Sequence, residues 1–303
     1  MFDSLYPTMQ WANHANTWPH AACSQFVQAG GIRWHVQTMG EGPCLLLLHG
    51  TGSGNFSWRG LMPLLSPYFK IIAPDLPGHA FTSRGPEGSL SLNGMTEGIR
   101  ALMLQLNLTP QVIAGHSAGA AIAANLVLQQ RSLQATQLIG LNPAWLPLPG
   151  LPSWIFGPAA KLAAINPISA WATAKFAKRQ STIDKSIAQT GSQLDAEGMA
   201  LYQQVFSHSG HVHSVLNMMA AWQLSQLSSS LHLIKNQVDI LVGSADGTVP
   251  PTMAQEACKL LPQAKLHVQQ NLGHLAHEED PEGTASYIRA ICGMPNARQP
   301  SFA

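Results

Sequence analysis

The chain predicts an α/β fold: a mostly parallel central sheet, helices on both faces and an all-helical insertion. Three observations lead there. Short apolar runs alternate with helical patterns along most of the sequence. One of these runs, Cys44–Leu48, is apolar at every position, as suits a strand covered on both faces. Between 143 and 230 the alternation stops, and only helical spacing and Pro- and Trp-rich sequence remain.

The elements follow in order. Ser24–Ala29 and 32–38 alternate around Gly30-Gly31, which reads as a β-hairpin that adds an antiparallel edge. Cys44–Leu48 is a buried strand ending in the glycine-rich loop 49–54, His-Gly-Thr-Gly-Ser-Gly. A helix around 58–65 precedes a strand at 70–73, which stops at Pro74-Asp75-Leu-Pro-Gly-His79. Met95, Ile99, Leu102 and Leu106 space a helix over 92–106. A strand at 111–114 turns through Gly115–Gly119 into an Ala-rich helix at 118–130, and a strand at 136–141 stops at Asn142-Pro143. After the insertion come a strand at 238–242, a helix at 251–261, a strand at 265–268 and a helix at 281–291. The core is therefore expected at 1–142 and 231–303. A helical cap, or lid, is expected at 143–230, with helical patterns at 159–165, 169–179, 195–207 and 211–224.

Composition narrows the function classes. The 303 residues include 46% hydrophobic and only 10% charged residues, which suits one α/β domain with an insertion rather than a disordered chain. A formal charge of +1 and no basic stripe exclude nucleic acid as an expected partner. The four dispersed cysteines read as buried reduced thiols. With no secretory signal and no long apolar span, the expected location is cytoplasmic.

The chemistry concentrates at Gly115-His116-Ser117-Ala118-Gly119. A strand-to-helix turn this tight strains the central residue and projects Ser117 Oγ above the sheet. The two glycines let strand and helix approach each other, and the helix N-terminus aims free N–H groups at the same place. An ordinary serine at a turn is the bland alternative. A nucleophilic serine needs a base and an orienting acid, here in the order serine, acid, histidine. Asp246 lies just past one strand and His274 in the loop after the next, so all three emerge at one sheet edge. Among competitors, His277 reads as a surface or supporting residue. Asp239 precedes its strand and faces the opposite edge. Asp75 holds the loop 74–79, and Asn142 stands at a strand end where it cannot supply a charge. The oxyanion donors expected are the N–H groups of Ala118 and Thr51, with His49 bracing the loop around Thr51. His208, His211 and His213 lack a nearby carboxylate and read as packed or solvated. No cofactor or metal is expected, and loop 50–54 lacks the ending of a phosphate-binding loop.

These motifs together resemble the lidded α/β-hydrolase superfamily over nearly the whole chain. A narrower likeness lies in Gly30-Gly-Ile-Arg-Trp-His-Val36, Trp58-Arg59, Thr190-Gly-Ser-Gln-Leu-Asp-Ala-Glu-Gly198 and Met218-Met-Ala-Ala-Trp222. These are similar to the magnesium-chelatase accessory proteins of bacteriochlorophyll biosynthesis. Ala80 departs from the pattern, where a small Gly is often seen. The resemblance implies a tetrapyrrole pathway, a tetrapyrrole ester or other small-molecule substrate, and magnesium-chelatase subunits as partners.

Three functions compete. The first is a carboxylic ester hydrolase working through an acyl-enzyme. The second is an accessory or tetrapyrrole-binding protein with a little-used triad. The third is a C–C hydrolase or cofactor-free peroxidase. An epoxide or haloalkane hydrolase would carry Asp where Ser117 stands. Trp145, Trp154, Phe156, Trp171, Phe176 and Trp222 either enclose a large flat or lipidic substrate or form the lid's own core. The apolar stretch 154–178 allows peripheral membrane contact through the lid.

Overall fold

Along β3 (Cys44–Leu48), successive side chains enter two different cores. Leu46 and Leu48 join a cluster with Trp34, Ile99 and Ile122, while Leu45 and Leu47 join one with Leu61, Phe69 and Ile288. That alternation is what a strand with helices on both faces requires. The computed structural model describes residues 9–147, 175 and 180–294.

The sheet has eight strands. β1 (Ser24–Ala29) and β2 (Ile32–Met39) form the hairpin, with Ala29 opposite Ile32 across Gly30-Gly31. Both glycines have positive φ (59° and 75°), as a two-residue hairpin turn demands. β4 (Lys70–Pro74), β5 (Val112–His116), β6 (Gln137–Leu141), β7 (Val238–Gly243) and β8 (Lys265–Gln269) complete the order β1-β2-β4-β3-β5-β6-β7-β8. All pairs from β4 to β8 are parallel; only β1–β2 and β2–β4 are antiparallel.

Helices α1 (Leu61–Leu65), α2 (Leu92–Gln105) and α3 (Ala118–Gln129) connect the first four parallel strands, β3 to β6 in chain order. Between β6 and β7 the described elements are helices, with no strand among the described residues: α4 (Gln180–Gln189), α5 (Ala196–Phe206), α6 (Ser209–Ala221) and α7 (Ser225–Ser230). The chain closes with α8 (Pro251–Leu260), α9 (Ala276–Glu279) and α10 (Pro281–Ile291). Caps set several starts. Ser91 accepts the Gly94 N–H before α2, Asp195 the Gly198 N–H before α5, and Asp280 the Gly283 N–H ahead of Pro281 in α10.

Some expectations change. Only Cys44 of the four free cysteines is buried; Cys23, Cys258 and Cys292 are half-buried. Asp239 is the second residue of β7 rather than a residue before it, and it is fully buried. Trp145 and Trp222 pack into the core of the sheet's helical layer, and Trp145 Nε1 donates to Ala120 O (2.8 Å). Neither builds a separate core for the insertion. Trp154, Phe156, Trp171, Phe176, the helical pattern 159–165 and the apolar stretch 154–178 lie outside the described residues, residue 175 excepted, as does most of 169–179.

Candidate active site

Ser117 closes β5 and opens α3 with φ 52° and ψ −115°, a backbone geometry that non-glycine residues rarely adopt. Its N–H donates to Leu141 O, and its carbonyl accepts from Ala120 and Ala144, so the surroundings over-determine the strain. A Cβ on Gly119 would collide with Leu48 O, and one on Gly115 with Gly119 O, which explains the small residues flanking the serine. The Ser117 side chain makes no capping bond to α3, leaving its hydroxyl and the first-turn N–H groups uncommitted to each other. Ser117 stays half-buried among buried neighbours.

His274 Nδ1 donates to Asp246 Oδ2 at 2.8 Å, leaving Nε2 as the acceptor nitrogen. Asp246 Oδ1 accepts the N–H groups of Thr248 (2.7 Å) and Val249 (2.8 Å), and Oδ2 also accepts Asn142 Nδ2 (2.7 Å). The carboxylate is thus held by four donors. His116, the residue before Ser117, donates from Nε2 to His274 O, and the two rings lie 4.8 Å apart. Ser117, Asp246 and His274 therefore sit at one end of the parallel strands, where the sequence expected them.

The loop bearing Thr51 lies against this end. Ser53 N–H donates to Gly50 O and Gly52 has φ 75°, the pattern of a type II turn with Thr51 at its second position. A Cβ on Gly50 would lie 3.2 Å from Ser117 Cβ, so the turn abuts the serine. His49 donates from Nδ1 to Gly50 O and accepts the Leu76 N–H at Nε2, tying the turn to the 74–79 loop. His211 of α6 accepts the Ala80 N–H and donates to Gly52 O. It is a packed residue, not a solvated one. Asp75 accepts from His35 Nδ1 and from the N–H groups of Asn55 and Phe81, which fixes the strand-end loop. Ala80 has φ 42°, consistent with a position where glycine would fit with less strain.

Burial disfavours the charged form of four histidines around this end. Burial drives His116 and His79 well below the usual imidazole range and His211 to about 3. His277 falls to about 3 through burial and the neighbouring His274. The structure puts His277 in the interior, between Trp58 and His116, rather than at the surface. Among the described residues no cluster of three His, Cys, Asp or Glu could hold a metal ion, and no helix is long and apolar enough to cross a membrane.

Three features escaped the sequence reading. The first is Asn142, assigned no role there, whose amide reaches Asp246. The second is the segment 190–193 ahead of α5. Thr190 O accepts N–H groups from both Gly247 and His274, and Ser192 Oγ accepts the Leu275 N–H. Glu279 bridges the Gly273 and Gln193 N–H groups. Its sequence signal was Gly191, in a motif that suggested kinship but no role. The third is Arg59, which pairs with Glu278 (2.6 Å) and Asp195 (2.7 Å), while Tyr202 OH reaches Glu278 at 2.7 Å. Burial pushes the Glu278 carboxyl up to about 7 although the Arg59 guanidinium pulls it down.

Residues 45–287 match the model of the Alpha/beta hydrolase family. The Magnesium-chelatase 30 kDa subunit of Rhodobacter capsulatus is 34% identical over 273 residues, 89% of this chain and 95% of that protein. Among solved structures, an alpha/beta hydrolase fold protein from Burkholderia ambifaria superposes with a TM-score of 0.72 at 21% identity, covering 88% of this chain and 97% of its own. A thermophilic esterase from Thermogutta terrifontis superposes with a TM-score of 0.70 at 21% identity, covering 89% and 98%. The chain belongs to the alpha/beta hydrolase family.

Proposed function

We propose that the protein is a serine hydrolase that cleaves a carboxylic ester through an acyl-enzyme. Ser117 is the nucleophile, His274 the base and Asp246 the acid. The observation that carries this reading is the 2.8 Å His274–Asp246 bond beside a strained serine whose hydroxyl caps nothing. The bond fixes the tautomer that presents Nε2 as acceptor. Ser117 Oγ attacks the ester carbonyl and its proton passes to His274 Nε2. The oxyanion rests on the N–H groups of Ala118 and Thr51, each worth roughly 10²–10³ in turnover. Collapse expels the alcohol, which takes the proton from His274. Water then repeats the cycle and releases the acid.

Residues 143–230 form a cap in this reading. Its described part meets the site through Phe206, whose ring lies 2.8 Å from a Cβ built on Gly52, and through His211. The ester bears a group large enough to need a cap of that size, and a tetrapyrrole ester fits the kinship with the chelatase subunit.

Labelling with a serine-directed fluorophosphonate tests the reading. Wild type is expected to label and Ser117→Ala to lose the label. Failure of wild type to label, or equal labelling of the variant, removes the hydrolase account. A second reading draws on the 34% identity to a protein named as a magnesium-chelatase subunit. Here the chain binds a magnesium tetrapyrrole for a chelatase partner, and the triad is idle. An absorbance shift with magnesium protoporphyrin that survives Ser117→Ala, with pathway function also intact, would favour it.

A further inference from the structure

Asn142 occupies an expensive position. It follows the last residue of β6, is 1% exposed, and adopts a left-handed backbone with φ 45°. Its N–H donates to Leu241 O (2.8 Å), which pins the residue to the end of β7 just before the chain reaches Asp246. A buried amide in that conformation must repay both strain and desolvation.

It does so at one place. Nδ2 lies 2.7 Å from Asp246 Oδ2, with Gly273 O at 3.4 Å. Oδ2 is the same oxygen that accepts the His274 Nδ1–H, whereas Oδ1 is saturated by backbone N–H groups. Of the donors on the carboxylate, Asn142 is thus the side chain that acts beside the histidine. Two consequences follow. The amide fixes the rotation of the carboxyl about its terminal torsion, and it draws negative charge away from the His274 bond. We propose that Asn142 is a positioning residue for the acid–base pair, one that orients Asp246 and tempers the basicity it confers on His274.

This inference rests on the Ser117–His274–Asp246 reading, but its test need not. Other groups facing His274 are His116 and His277, both held neutral by burial, so neither adds a charge that would mask the effect. Beyond them, Arg59 acts on His277 and is itself paired with Glu278, and Glu279 accepts the Gly273 N–H. These remain unchanged in the variants below. Removing the amide donor leaves Oδ2 to His274 alone and stabilises the imidazolium.

The experiment is an NMR titration of the His274 imidazole, assigned by difference from His274→Gln, in wild type, Asn142→Leu and Asn142→Gly. Asn142→Leu is expected to raise the His274 midpoint by about one pH unit. Asn142→Gly relaxes the left-handed backbone at this position and so guards against a folding failure. It removes the same amide donor and should move the midpoint in the same direction. In the fluorophosphonate assay the acid limb of the labelling rate should move with the midpoint, and the rate at neutral pH should fall several-fold. A purely structural Asn142 would lower Tm without moving the midpoint. An unmoved midpoint in both variants overturns the proposal. A moved midpoint in a protein that never labels sustains Asn142's role and removes the hydrolase reading alone.

Discussion

Asp75 and Asp246 are both buried carboxylates at strand ends, yet they are built for different tasks. Asp75 spends its oxygens on His35 and on the backbone N–H groups of Asn55 and Phe81. Asp246 offers one oxygen to a histidine whose second nitrogen is left as an acceptor. Asp246→Asn should therefore disturb the tautomer and lower turnover by about 10³–10⁴. Asp75→Asn should lower Tm while leaving turnover per folded molecule within a few-fold. Initial rates on p-nitrophenyl esters alongside thermal melts separate the two, and the reverse ranking would mean that the acid is misassigned. At this scale much of the candidate site was legible, because Ser117, Asp246 and His274 each end or follow a strand in a fixed chain order. Asn142 and His277 were not legible in their roles. Asn142 acts on a residue 104 positions away, and His277 is buried by Trp58, far off in sequence. No local pattern records such contacts.

The segment 190–193 shows the same limit one level up. Its place in the sequence is inside the helical insertion, but its hydrogen bonds belong to the loops of Asp246 and His274. Gly191 has φ 78°, and a Cβ there would collide with Ala245 O, next to the acid. Gly191→Ala should then both strain the backbone, at about 1–2 kcal/mol, and displace Asp246. Gly88 supplies the control, since it has φ 82° with nothing within 4 Å of a built Cβ. Gly88→Ala should cost the backbone strain alone in a urea titration and leave ester turnover per folded molecule intact, whereas Gly191→Ala should cost more and lose turnover at least tenfold. Equal turnover in the two variants would show that the segment does not support the site. The sheet strands were read well from their apolar runs. Helix α4 was not, because Ile183 and Ile187 alone form its buried stripe, too narrow a signal among polar neighbours. β5 extends through Gly115 and His116, which read as turn residues until their pairing with β6 is seen.

Across the molecule, burial of neutral imidazoles ties stability to pH. His49, His79, His116, His211 and His277 are all buried with proton affinities below the ordinary value of 6.5, burial being the first cause in each case. A group whose affinity is depressed on folding binds protons more readily when unfolded. Its contribution is complete above 6.5 and is lost as the pH falls toward the folded value, about 3 for His211 and His277. Each such histidine adds about 1.4 kcal/mol per pH unit to the slope across that window. Glu278, raised to about 7, runs the opposite way: its contribution is complete below 4.5 and fades as the pH rises through 7. The histidines outnumber it, so urea midpoints should fall steeply between pH 6.5 and 4. His277 is the best single probe, since neither of its ring nitrogens has a hydrogen-bond partner among the described residues and it stacks against the rings of Trp58 and His116. His277→Leu should keep its stability near the wild-type level at pH 8 and lose about 1.4 kcal/mol per unit less on acidification. A wild-type slope that is flat, or one unchanged by His277→Leu, would mean that these rings are already protonated in the folded protein and that its interior is more open to water than their packing implies.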